Sequence, residues 1–177
     1  MTHQLQSVKT SRRHPLFVLI AVAVLTAGAA VAKDTISDYF LRLPASEFLE
    51  GTPAQLLGYI RTNRQGVLDT KNGYLVLQGD GAQVSLQVAL FRFPDGGPLL
   101  AVSYGYLEEP DFTNLDFFIE QDGKMVLTHR IEFPFPPRGG RFRFQLPREG
   151  RTIIVKKSDG RPVGKVTWNG YKFVMEQ

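Results

Sequence analysis

The sequence predicts an α+β fold that is mostly β: two short N-terminal helices packed on a curled, mostly antiparallel sheet of about eight strands, bent towards a half-barrel. Three observations carry this expectation. Between Tyr74 and Tyr106 three apolar runs, 74–77, 84–93 and 99–106, are divided only by the turn residues Asp80-Gly81 and Asp95-Gly96-Gly97-Pro98, which is the pattern of a β-meander. Arg141-Phe142-Arg143-Phe144-Gln145-Leu146 alternates strictly between polar and apolar, the period of a strand with one buried face. Helical spacing of apolar residues is confined to a short region near residues 34–62.

The chain has 177 residues, 43% of them hydrophobic, and no cysteine. That composition suits one folded domain and excludes disulfides, zinc thiolates and thiol catalysis. Residues 1–32 carry the pattern of an export signal. Lys9, Arg12 and Arg13 precede the apolar run Leu16–Leu25, and small residues follow up to Ala30 and Ala32. This is the charged, apolar and small-residue order of a secretory signal peptide, with cleavage expected before Lys33 and a single β-rich domain over 33–177. The alternative is an uncleaved anchor, because Pro15–Ala32 reaches the lower limit for spanning a bilayer. Either reading places the body outside the cytoplasm, periplasmic or secreted in the first case and inner-membrane anchored in the second. Arg12-Arg13 hints at twin-arginine export, although Pro15 stands where that signal usually has an apolar residue.

Next in order, Ile36, Tyr39, Phe40 and Leu43 fall at helical spacing, and Pro44 ends the segment, so Asp34–Leu43 reads as a helix. A second helix starts at Thr52-Pro53-Ala54-Gln55, which offers an N-cap hydroxyl, proline at the first helical position and a glutamine to complete a capping box. Faces this short bury themselves only against a sheet. From Val67 onward the sequence shows no convincing helix. Asn72-Gly73 leads into the meander, in which Val84, Leu86, Val88 and Leu90 share one face and Ser85, Gln87 and Ala89 the other, giving a sheet with one buried side. Gln121-Asp122-Gly123 joins 115–119 to a strand expected over 124–133, and Pro134, Pro136 and Pro137 then interrupt the ladder. Strands at 141–146 and 152–156 follow. The chain closes with a hairpin of 163–168 and 171–174 across Asn169-Gly170.

A signal, short helices around Leu43-Pro44, Asp69-Thr70-Lys71-Asn72-Gly73-Tyr74 and a meander follow one another in this chain. In that order it resembles small exported bacterial proteins of uncharacterised families, a resemblance that covers most of the body and implies no activity.

Charge is unevenly distributed. Without residues 1–32 the body holds 18 basic and 17 acidic side chains, so the basic pI gives no argument for nucleic acid. Residues 33–129 carry 7 basic and 13 acidic groups, and residues 130–172 carry 11 basic and 3 acidic. The candidate ligand-binding residues are therefore Arg141 and Arg143, sent to one face by alternation, together with Arg138 and Lys156. Guanidinium forks suit phosphate and carboxylate, so the expected partner is an anionic component of the cell envelope or an acidic protein. The opposing reading is a solvated strand face paired with the protein's own acids. Membrane contact is expected only through residues 1–32.

The function expected from these features is an exported, non-catalytic binding domain of the bacterial cell envelope. The competing class is a carboxylate-dependent, glycan-acting envelope hydrolase drawing on Glu108, Glu109, Asp111, Asp116, Glu120 and Asp122, which crowd one segment. Asp111, Asn114 and Asp116 lack the glycine and distal glutamate of a calcium loop. His129 is the single histidine of the body and has no second histidine or cysteine with which to hold zinc. No cofactor or metal is expected. Ser103 lacks the flanking glycine and the strand-to-helix turn of a nucleophile elbow, and reads as a strand serine.

Overall fold

A computed structural model of the protein describes residues 33–48, 51–64, 66–79, 85–105 and 112–176. The expected signal peptide, the Asp80-Gly81 turn and the acidic residues Glu108, Glu109 and Asp111 lie outside the described residues. Lys33–Gln177 forms one compact unit.

Helix α1 is Ile36–Leu41, shorter than the sequence suggests, and opens at Thr35, whose backbone N–H donates to Asp38 Oδ2 at 2.8 Å. A 3-10 turn at Ala45–Glu47 follows Pro44. Helix α2 is Pro53–Thr62 with the expected reciprocal cap: Thr52 N donates to Gln55 Oε1 at 2.8 Å, and Gln55 N to Thr52 Oγ1 at 3.3 Å.

The described residues then form ten strands rather than about eight, and two antiparallel sheets rather than one. The first sheet is a meander of β1 (Gly66–Asp69), β2 (Tyr74–Leu77), β3 (Ser85–Arg92), β4 (Pro98–Gly105), β5 (Asn114–Gln121) and β6 (Lys124–Leu127), in that order. The second is ordered β10-β9-β8-β7, from β7 (Phe142–Gln145), β8 (Thr152–Lys157), β9 (Pro162–Trp168) and β10 (Phe173–Met175). Among the described residues neither sheet closes on itself, so the half-barrel is replaced by a stack of three layers: helices, six-stranded sheet, four-stranded sheet.

Two cores separate those layers. Leu75, Leu77, Leu86, Val88, Leu100, Val102 and Phe118 face the helices and pack on Ile36, Phe40, Leu57 and Ile60. On the opposite face Ala89, Phe91, Leu99, Ala101, Leu115 and Phe117 meet Phe144, Ile153, Val155, Val166, Trp168 and Phe173 of the second sheet. The first sheet is thus buried on both sides, and Ser85, Gln87 and Ala89, expected on a solvent face, are all buried. The covering sheet exists because β6 ends at Leu127 instead of running to Phe133. The proline-rich segment crosses to the second layer there, with Leu115 N donating to Pro137 O at 2.9 Å. Phe133 enters the interlayer core against Phe117, Phe144 and Phe173, at centroid distances of 5.3–5.8 Å. Its hydrophobicity therefore belongs to a plug and not to a strand.

Turns follow local chemistry. Asp122 (φ 50°) and Gly123 (φ 74°) both take left-handed conformations between β5 and β6, as a tight two-residue hairpin requires. Asn169-Gly170 makes a wider loop than expected, since Trp168 pairs with Phe173 and Asn169 Oδ1 accepts from both Tyr171 N and Lys172 N at 2.9 Å. Gly66 has a steric reason: a Cβ there would stand 2.2 Å from the Ile60 carbonyl oxygen.

Candidate functional site

The second sheet has one face in the interlayer core and one face out, and alternation decides which side chains appear where. Phe144, Ile153, Val155, Val166 and Trp168 point in. The alternate positions Arg143 and Gln145 on β7, Thr152, Ile154 and Lys156 on β8, and Lys165 and Thr167 on β9 point out. Register then fixes their neighbours. Arg143 lies opposite Lys156, Gln145 opposite Ile154, Ile154 opposite Lys165, and Thr152 opposite Thr167. All of these but Thr167 line an open groove of about 670 Å³ that continues past Arg148 and Glu149 to the edge of β7 and reaches Glu176 on its other side.

Its walls are held by polar contacts. The free edge of β7 is tied to the first sheet, with Phe144 N donating to Phe112 O at 2.8 Å and Leu146 N to Gln87 Oε1 at 2.9 Å. Buried Gln87 is therefore an inter-sheet link rather than a surface residue. Arg148 Nε donates to Asp69 Oδ2 at 2.8 Å, which joins the groove's rim to the β1–β2 turn. The guanidinium of Arg148 and the amide groups of Asn72 hold the Asp69 carboxyl down at a pKa of about 2. At the far end Thr167 Oγ1 and Thr152 Oγ1 both donate to Glu176 Oε1, the latter at 3.1 Å. Those hydroxyls hold Glu176 below the ordinary carboxylate range. Glu176 N donates to Lys165 O at 2.9 Å, so the two side chains belong to one row. Near Arg143, Asp159 is engaged by Arg161, whose Nε and Nη2 each stand 2.7 Å from its Oδ2.

The four residues singled out from the sequence separate into three environments. Arg143 and Lys156 come together as a directly opposed, half-buried pair on the groove floor. Arg141 is exposed and precedes β7, so it lies outside the groove lining. Arg138 belongs to the helix-facing side of the first sheet, where its Nη2 and Nε donate to Asp116 Oδ1 at 2.8 and 3.2 Å. Tyr104 donates to the other carboxylate oxygen of buried Asp116 at 3.0 Å.

Of the acidic candidates within the described residues, Asp116 is thus ion-paired, Glu120 binds Arg42 Nη1 at 2.7 Å and Asp122 occupies a turn. Ser103 is fully buried and donates to the Asn114 carbonyl at 2.8 Å. His129 is exposed beyond the end of β6. Among the described residues no group of three or more His, Cys, Asp or Glu side chains is placed to hold a metal ion, and no helix is long and apolar enough to cross a membrane. Sequence reasoning passed over Gln145, Thr152, Ile154 and Glu176, because their place beside the cations depends on strand register, which no local motif announces. No family model, curated protein or solved structure matches the chain.

Proposed function

We propose that the protein is an exported, non-catalytic binding domain of the cell envelope that takes an anionic ligand on the outer face of its second sheet. The supporting observation is the pairing of Arg143 with Lys156, with Lys165 one row away, in a groove of about 670 Å³. Like charges directly opposite on neighbouring strands repel, and a bound anion adds to the attraction that Asp159 already supplies to Arg143. The volume falls in the range of small-molecule sites, about 300–1,000 Å³. Export rests on the order of charged, apolar and small residues in 1–32.

The two carboxylates lining the groove favour binding over glycan hydrolysis. A general acid needs a raised pKa, whereas Glu176 is held low by two hydroxyls, and Glu149 stands exposed on the rim. The test is the double variant Arg143→Gln/Lys156→Gln, assayed against dextran sulfate at several salt concentrations. Charge-assisted contacts contribute about 1.5–3 kcal/mol each, so affinity should fall at least about tenfold with folding intact. Unchanged, salt-insensitive binding would refute this assignment. Fractionation and intact mass of the exported protein test the other half, with a mature N-terminus expected at Lys33.

A further inference from the structure

Resting on that reading of the groove, we infer that the ligand is an organic phosphate with a hydroxyl-bearing body, its phosphoryl group between Arg143 and Lys156 and its hydroxyls towards Gln145 and Glu176. Two unlike cations meet at one end. A guanidinium presents paired N–H groups in a fixed plane and grips two oxygens at once, while an ammonium is a point donor that takes a third. Directly opposed residues on antiparallel strands have Cα atoms about 4.5–5.5 Å apart, so both side chains reach the same group. Three oxygens on one centre describe a phosphoryl group. A carboxylate offers two, so the ammonium must share an oxygen the fork already holds, whereas a phosphoryl group gives it one of its own.

The remainder of the groove gives the ligand a direction. Across the neighbouring row the side chains run Gln145, Ile154, Lys165, Glu176. Gln145 can donate and accept, Ile154 offers a small apolar floor, and Glu176 accepts only. Glu176 is fixed by Thr152 and Thr167 and is charged at neutral pH. It repels a second anion and attracts a hydroxyl, so this end of the row takes the uncharged, hydroxyl-bearing part of the ligand. From β7 to β10 is three strand spacings, about 14 Å. With long side chains reaching inward, that span suits a phosphorylated sugar or polyol better than bare phosphate. Such a phosphomonoester occurs free or on a phosphorylated lipid headgroup, and both present the same three terminal oxygens.

Calorimetric titration of the purified 33–177 body with glucose 1-phosphate, glucuronate and inorganic phosphate tests the inference, with vesicles containing phosphatidylinositol 4-phosphate or phosphatidylinositol as a second arm. Glucose 1-phosphate is expected to bind at least about tenfold more tightly than glucuronate or inorganic phosphate, the loss of one charge-assisted contact. Arg143→Lys keeps the charge and removes the fork, and should erase the preference over glucuronate without altering the circular dichroism melt. Glu176→Gln should erase the preference over inorganic phosphate. Selective capture of the phosphatidylinositol 4-phosphate vesicles would identify a headgroup, and binding of the soluble sugar phosphate alone a free ligand; either supports the assignment. Equal affinity for glucuronate and glucose 1-phosphate, with dextran sulfate still bound through Arg143 and Lys156, would overturn the phosphate assignment and leave the anion-binding face standing. Failure to bind any of these anions would overturn both.

Discussion

Replacing Trp168 with alanine tests the two-sheet architecture most directly. The indole is 1% exposed and sits in the interlayer core, with ring centroids at 5.0 Å from Phe173, 5.4 Å from Phe93 and 6.4 Å from Phe91. Its Nε1–H donates to the Arg92 carbonyl at 2.9 Å, so the side chain bridges β9 to the end of β3 in the other sheet. Truncating a buried tryptophan removes its transfer free energy and leaves a cavity, together about 3–5 kcal/mol. For a domain of this size, about 3 °C per kcal/mol converts that loss into a fall of roughly 10–15 °C in melting temperature. Trp168→Phe separates the contributions. It keeps most of the packing and leaves the Arg92 carbonyl without its donor, for a loss of about 1–3 kcal/mol. Because Trp168 is the single tryptophan, unfolding of the variants is followed by far-UV circular dichroism in urea. A loss below about 1 kcal/mol for Trp168→Ala would refute the stacked sheets, since it would place the ring in water.

Gly66→Ala should destabilise the α2–β1 junction by about 1–3 kcal/mol, because the new methyl group collides with the Ile60 carbonyl; a urea midpoint equal to wild type would show that β1 shifts freely. Gln87→Leu should cost about 1–3 kcal/mol by stranding the buried Leu146 N–H, and amide exchange at Leu146 should speed up; unchanged protection there would refute the link. The Asp69–Arg148 pair should make stability depend on acid. Asp69 has a folded pKa of about 2 against 3.8 for the free side chain, so its contribution is complete above about pH 4 and disappears as pH falls through about 2. The melting temperatures of wild type and Asp69→Asn should therefore differ near neutrality and converge near pH 2; a constant gap would contradict the pairing. Arg138→Ala removes the half-exposed cation from buried Asp116, which keeps Tyr104, and should cost about 1–3 kcal/mol, more than the exposed Arg141→Ala at about 0–0.5 kcal/mol, both read from urea midpoints.

Features that depend on a few neighbouring residues were legible in the sequence. Thr52, Pro53 and Gln55 build a cap whatever the rest of the chain does, Asp122-Gly123 accepts the left-handed turn, and the Arg143-Phe144-Gln145-Leu146 period assigns each side chain to a face. The meander from β2 to β4 belongs to the same class, since strands that follow one another closely in the chain have only one economical way to pair. Strand β1 was missed because Gly66–Asp69 is short and only half-buried, so its apolar signal is weak.

What only the tertiary structure decided concerns contacts between segments distant in the chain. Ser85, Gln87 and Ala89 look like a water-facing side, yet a second sheet covers them, and Gln87 meets its partner 59 residues away. Phe133 reads as a strand residue and serves as a plug between layers. The candidate site divides in the same manner. Charge marked Arg138, Arg141, Arg143 and Lys156 alike, but charge carries no information about partners. Register set Arg143 against Lys156, the crossing loop delivered Arg138 to Asp116, and the start of β7 at Phe142 left Arg141 outside the groove. The physical reason is range: capping and turn preferences act over about four residues, whereas register and layer stacking are set by burying apolar area between segments that meet only after the chain has folded.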